Sequence, residues 1–171
     1  MALAKIGRIG AAGLLGCLAA CTPVRPQLTL EPGASLKGYE VFVVAPVINE
    51  TGEHFNVDVT DSLREHLAER LRSNGFVVML DPAQDTIHPA IVVTAALVGF
   101  RGLPFMVQVP TPGAPACELH ALLTDRRSGQ RIGRVAAAVL EEHWAPLTIL
   151  TACAHDVGDA IARATKRAEK E

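Results

Sequence analysis

Apolar residues recur along this chain at two distinct spacings. Val59, Leu63, Leu67 and Leu71 follow one another at intervals of four, while Arg64, Glu65, Glu69, Arg70 and Arg72 take the reverse side. One apolar stripe backed by charge predicts an amphipathic helix. Asn56 is its expected N-cap and Asn74-Gly75 its stop, Gly75 supplying the left-handed C′ position. Ile149, Cys153, Val157 and Ile161 repeat the spacing and predict a second helix over 148–166. Elsewhere the pattern is that of strands. Tyr39 to Val47 (YEVFVVAPV) is β-branched and aromatic, and reads as a first, central strand. Asn49-Glu50-Thr51-Gly52 has the form of a glycosylation sequon but reads as a turn. Phe76 to Leu80 is a second strand, close enough behind the helix to form a βαβ unit with the first. A loop over 81–89 precedes the long apolar strand Ala90 to Phe100. Cys117 to Thr124 alternates, with Cys117, Leu119, Ala121 and Leu123 on one side and Glu118, His120 and Thr124 on the other. A turn over 125–130 returns the chain as a strand from Arg131 to Leu140. The order β-α-β-β-β-β-α predicts an α/β (α+β) domain, a five-stranded mixed sheet with both helices side by side on one face.

The first 38 residues carry a different pattern. Lys5 and Arg8 precede an apolar run from Ile9 to Ala20, about a dozen residues, too short for a bilayer of roughly 30 Å hydrocarbon. Charge, apolar core and small residues in that order are the layout of an export signal. Leu18-Ala19-Ala20-Cys21 resembles the lipobox of bacterial lipoproteins, with Leu14-Leu15-Gly16-Cys17 a weaker second candidate. The resemblance implies cleavage before Cys21 and acylation of that cysteine. Thr22 stands where Asp would retain such a protein on the inner membrane, which implies the periplasmic face of the outer membrane. Pro23, Pro26, Pro32, Gly33 and Gly38 make 21–38 an expected extended tether, so the organisation reads as signal 1–20, lipid-anchored tether 21–38 and domain 39–171.

Composition narrows the partners. Losing the leader removes two of the 16 basic residues and none of the 18 acidic ones, leaving a formal charge of −4. Nucleic acid, which needs a basic face, is therefore not an expected partner. Five Phe, one Trp and one Tyr are too few for stacking platforms. With Cys17 lost and Cys21 lipidated, Cys117 and Cys153 remain, and an oxidising export compartment suggests a disulfide between them.

Three stretches together carry a further resemblance: Val41-Phe-Val-Val-Ala-Pro-Val leading into Asn49-Glu50-Thr51-Gly52, the helix end Leu71-Arg-Ser-Asn-Gly75-Phe76-Val-Val, and Leu123-Thr-Asp125 with Ser128-Gly129 in the late hairpin. Over about residues 39–168 the chain resembles the envelope lipoproteins whose periplasmic α/β domain is shared by the curli secretion pore. The Pel polysaccharide lipoprotein, the penicillin-binding-protein activators and the N-terminal domain of TolB are similar. The resemblance implies a scaffolding, ring-forming or activating role, without catalysis by this domain. Pore formation is not implied, since no alternating segments of about ten residues suit an outer-membrane hairpin.

No residue constellation argues for chemistry. Cys153 and His155, two apart on a helix, point in different directions. Cys117 and His120, three apart on a strand, lie on opposite faces. Glu118 with His120, and Glu141, Glu142 and His143, give no metal-ligand spacing. Neither a phosphate loop nor a Gly-x-Ser-x-Gly elbow occurs. Arg126, Arg127, Arg131 and Arg134 read as a solvated hairpin tip that could instead meet phospholipid or an anionic polymer. Leu103, Phe105, Met106 and Val109 are apolar inside a connection broken by Pro104, Pro110, Pro112 and Pro115. They either cover an edge of the sheet or form a contact surface for a partner, a neighbouring subunit or membrane. Trp144 fits core or interfacial anchor equally. The expectation is a lipid-anchored, non-enzymatic interaction or scaffolding module with no cofactor and no metal, its partners being the membrane and an envelope protein or a second copy. A ring subunit of a secretion or polysaccharide-export apparatus is the alternative, and an envelope hydrolase the third.

Overall fold

The computed structural model describes residues 25–55, 58–81, 83, 87–100, 116–140 and 146–170. Its strands are β1 (Thr29–Leu30), β2 (Val41–Val44), β3 (Ile48–Asn49), β4 (Val77–Met79), β5 (Ala90–Phe100), β6 (Cys117–Asp125) and β7 (Arg131–Val139). Two helices, α1 (Val59–Ser73) and α2 (Pro146–Ala168), complete it. All seven strands form one mixed sheet in the order β1-β7-β6-β5-β2-β4, with β3 also paired to β5. The expected count of five is therefore too low by two short strands. One is β3, which continues β2 along β5: Ala45 N donates to Val93 O and Glu50 N to Leu97 O, and Pro46, lacking an N–H, interrupts the ladder between them. The other is β1, which pairs antiparallel with β7, Thr29 opposite Arg134 and Leu30 opposite Gly133. Part of the expected tether thus belongs to the sheet, and Leu36 is fully buried in the main core. Gly133 permits the approach, because a Cβ there would stand 2.7 Å from the Thr29 carbonyl oxygen.

β2 and β4 are parallel neighbours joined by α1, as the βαβ reading requires. Asn56 lies outside the described residues; the N-cap is Asp58, whose carboxylate accepts from Asp61 N at 2.9 Å. At the other end Gly75 takes φ +97, Gly75 N donates to Arg72 O and Phe76 N to Leu71 O. That pair of bonds satisfies the last carbonyls and sends Phe76 against Phe42, ring centroids 5.0 Å apart.

Both helices lie on one face. Val59, Leu63, Leu67 and Leu71 of α1 and Ile149, Cys153, Val157 and Ile161 of α2 are buried against Phe42, Val93, Leu97, Leu119 and their neighbours. Arg70 donates two bonds to Asp159, at 2.7 and 2.8 Å, and fixes the helices to each other. The pairs His66–His155 and Arg70–Asp159 run in the same sense along both helices. The strand registers then place the starts of both helices at the end of the sheet where β5 and β7 finish and β6 begins.

Candidate functional site

Side chains alternate across a strand, so the residues between the core positions of β5, β6 and β7 face away from the helices. Register sets them in two rows. Ile48, Ala96, His120 and Ala136 stand side by side across β3, β5, β6 and β7. Thr94, Leu122, Arg134 and Thr29 make the next row, ending on β1. Ala96 and Ala136, short beside His120 and Leu122 of β6, leave room for a groove of about 580 Å³ that Gln27 and Glu50 also line. Beyond it Val41, Val43 and Ala90 form a separate small apolar cluster with Met79 and Val92. Among the described residues no helix covers this face; its apolar cluster is nevertheless buried, with Val43 only 1% exposed, while the groove beside it is open and mixed in charge.

The polar groups of this face are few. His120 and Glu118 share it, as the strand spacing predicts, and the His120 Nε2 to Glu118 Oε1 distance is 2.9 Å. Arg134 reaches the groove from β7 and is not at the hairpin tip, since strand alternation turns it onto the open face beside Thr29. The tip keeps Arg126, Arg127 and Arg131. Among the described residues no group of three His, Cys, Asp or Glu could hold a metal ion.

The remaining candidates separate. Cys117 and Cys153 come together as two buried free thiols under α2. Cys153 Sγ lies 3.8 Å from Ala137 O, and hydrogen bonding with Cys117 together with burial raises its pKa far above the ordinary thiol value. His155 points elsewhere, toward His66 of α1 at 6.4 Å between ring centroids. Burial, helped by Arg70 and His66, lowers its pKa. Cys21, Leu103, Phe105, Met106, Val109 and Trp144, like Glu141, Glu142 and His143, lie outside the described residues. The groove itself was not anticipated. A signal for it existed in the three alanines Ala96, Ala136 and Ala138 at positions facing away from the helices, but alanine fits either face of a sheet.

Asn49 makes the expected turn: its Oδ1 accepts from Thr51 N and Thr51 Oγ1, and its Nδ2 donates to Glu53 O. At the opposite end of the sheet Tyr39 OH donates to Asp125 at 2.7 Å. That bond, with those from Ser128, holds the Asp125 carboxyl down at about 2, and the carboxylate in turn raises Tyr39 to about 12.

No family model matches the sequence, and no curated protein matches it either. Solved structures do resemble it. A PelC dodecamer of Paraburkholderia phytofirmans, carrying the substitution L103M, shares 18% identity over 81% of this chain and 98% of its own, with a TM-score of 0.55. A second PelC crystal form from the same organism gives 17%, the same coverage and 0.55. A DUF330 protein of Xanthomonas campestris, 14% identical over 84% of this chain and 89% of its own, has a TM-score of 0.44. At this identity the likeness shows the fold alone: the chain has a fold of the kind seen in PelC.

Proposed function

We propose that this chain is an envelope lipoprotein, lipidated at Cys21 on the periplasmic face of the outer membrane, whose domain is a non-enzymatic interaction module. The observation that carries the reading is the helix-free sheet face, with its groove of about 580 Å³ bordered by Ile48, Leu122 and Arg134. An open groove lined by both apolar and charged side chains, with no helix over it in the described residues, suits a protein contact better than chemistry. The lipid confines the domain to a surface and raises its effective concentration toward whatever it meets there. No helix among the described residues is long and apolar enough to cross a membrane.

A second reading is favoured by one comparison: the PelC structures of this fold are dodecamers. Self-association into a ring would then be the contact, as expected for a subunit of an export apparatus. Mass spectrometry of the mature N-terminus tests the anchor, with diacylation at Cys21 expected and its loss in Cys21→Ala; an unmodified native terminus would contradict it. Light scattering on the purified protein separates a single copy awaiting a partner from a closed ring.

A further inference from the structure

β7 has two halves, and only the first has a neighbour on its outer side. In an antiparallel ladder the N–H and C=O of one residue point to the same side, and that side alternates along the strand. Glu31 N donates to Ile132 O and Thr29 stands opposite Arg134, so the even-numbered residues of β7 turn their backbone groups outward, toward β1. Val139 O accepts from Ala116 N, which sets the odd-numbered ones toward β6. β1 begins only at Thr29, and the chain before it is drawn to α2, where Arg163 Nη2 donates to Pro26 O at 2.9 Å. Among the described residues no strand pairs with the outward N–H and C=O of Ala138, or with Leu140 after it.

The features that keep a sheet edge from pairing all sit in the covered half. Arg131 and Arg134 are exposed there, Gly133 lies between them, and the register with β6 slips between Gly133 and Arg131. From Val135 to Leu140 (VAAAVL) the strand has no charge, no proline, no glycine and no register shift. Ala136 and Ala138 are exposed on the helix-free side, and alternation puts Leu140, 62% exposed, in the same row. An uncharged, regular free edge is a template for another strand.

We propose that this edge pairs with the same edge of a second copy, antiparallel about a two-fold axis at Val139. Three features of the edge select that occupant. A two-fold pair lets Ala138 of each copy exchange both backbone bonds with Leu140 of the other, so the outward groups of both edges are satisfied at once. Each Leu140 side chain then stands across from a small Ala138 and leaves water against it. Length is the third. Gln27, two residues before Thr29, falls level with Ala136 and lines the groove beside it, so the open lane is short. A second β7 ends by itself where that lane closes, whereas a longer foreign strand would run into Gln27. The contact uses the edge and not the groove, and it needs no lipid, so it stands apart from the anchor reading.

Sedimentation velocity of the protein, purified from membranes in detergent, tests this, with two copies per particle expected. Ala138→Pro removes the outward N–H at an edge position that tolerates proline, and Leu140→Arg places like charges across the axis. Each should raise the dimer dissociation constant about tenfold or more with an unchanged circular dichroism spectrum. The register is read by mixing Ala138→Cys with Leu140→Cys under mild oxidation. A mixed covalent dimer should form faster than from either protein alone, and Glu65→Cys, on the outer side of α1, should give none. A single copy at every concentration would overturn the proposal, as would a dimer or ring that keeps its size in both edge variants. So would crosslinking no faster in the mixture than in the separate proteins. Cys21→Ala should dimerise as wild type does, which separates this result from the fate of the anchor.

Discussion

Leu119 and Leu122 stand three residues apart on β6 and face opposite ways. Leu119 is fully buried among Val93, Leu97 and the apolar stripes of the two helices. Leu122 is half-buried in an open groove between Thr94 and Arg134. The helix-covered face is filled by large side chains, and little there can change without loss of packing. The open face carries alanines, a threonine, an imidazole–carboxylate pair and an arginine. Apart from the buried Val41–Val43–Ala90 cluster, its residues are constrained by the ladder and not by a core, so composition around the groove is free to serve a contact. Stability and recognition are divided between alternate residues of the same strands.

The sharpest way to break that division is to truncate one residue from each face. Leu119→Ala should cost about 2–5 kcal/mol, the range for a buried leucine. Leu122→Ser should stay within about 1 kcal/mol, as surface changes do. Denaturant unfolding of both variants decides; equal losses would mean that the open face is covered in the native protein. Next in size is the thiol pair of the covered face. A Cys117–Cys153 bridge would close 36 residues and stabilise by roughly 3–4 kcal/mol. The structure holds both as thiols; thiol labelling of denatured, unreduced protein from the periplasm checks the bridge expected of an oxidising compartment, none free meaning that it forms there and two that the pair remains reduced.

How much of this was legible in the sequence follows the same division. The spacing-four stripes of α1 and α2 and the alternation of β6 lie where one side is buried and the other wet, and there pattern and structure agree. β5 reads apolar on both sides (AIVVTAALVGF), so nothing in it marks which face stays open. The two strands missed are two residues long and exposed, held by pairing partners distant in sequence. Thr29–Leu30 is surrounded by Pro26, Pro32 and Gly33, which locally argue for a tether. Its place depends on Gly133, more than a hundred residues later. Proximity in sequence groups Arg134 with the hairpin, whereas strand alternation sends it to the groove.

Smaller effects sharpen the picture at the edges of the sheet. Gly133→Ala puts a methyl group 2.7 Å from Thr29 O, and should cost about 1–3 kcal/mol while raising hydrogen exchange at Thr29 and Leu30. At the β6–β7 turn, Asp125 is held at about 2 in the folded chain by Tyr39 and Ser128, below its ordinary 3.8. A carboxyl lowered by folding contributes stability above its unfolded pKa and loses it as pH falls toward 2. Wild type should therefore be more stable than Asp125→Asn at pH 6, the difference vanishing near pH 2; a constant difference would mean the hydrogen bonds do not depend on charge. The smallest change in stability belongs to Phe105→Ala with Met106→Ala. If that apolar stretch is a contact surface, the melting temperature should barely move while envelope crosslinks disappear. A large fall would identify it as core.

Photocrosslinking in intact envelopes tests the central claim most directly, that the helix-free face is where this domain meets its partner. A photoreactive residue at Ala136, in the groove, is compared with one at Glu65 on the outer side of α1. The account predicts a discrete crosslinked product from Ala136, to a second copy or to one envelope protein, and none from Glu65. Products from Glu65 alone would place the contact on the helical side and contradict it.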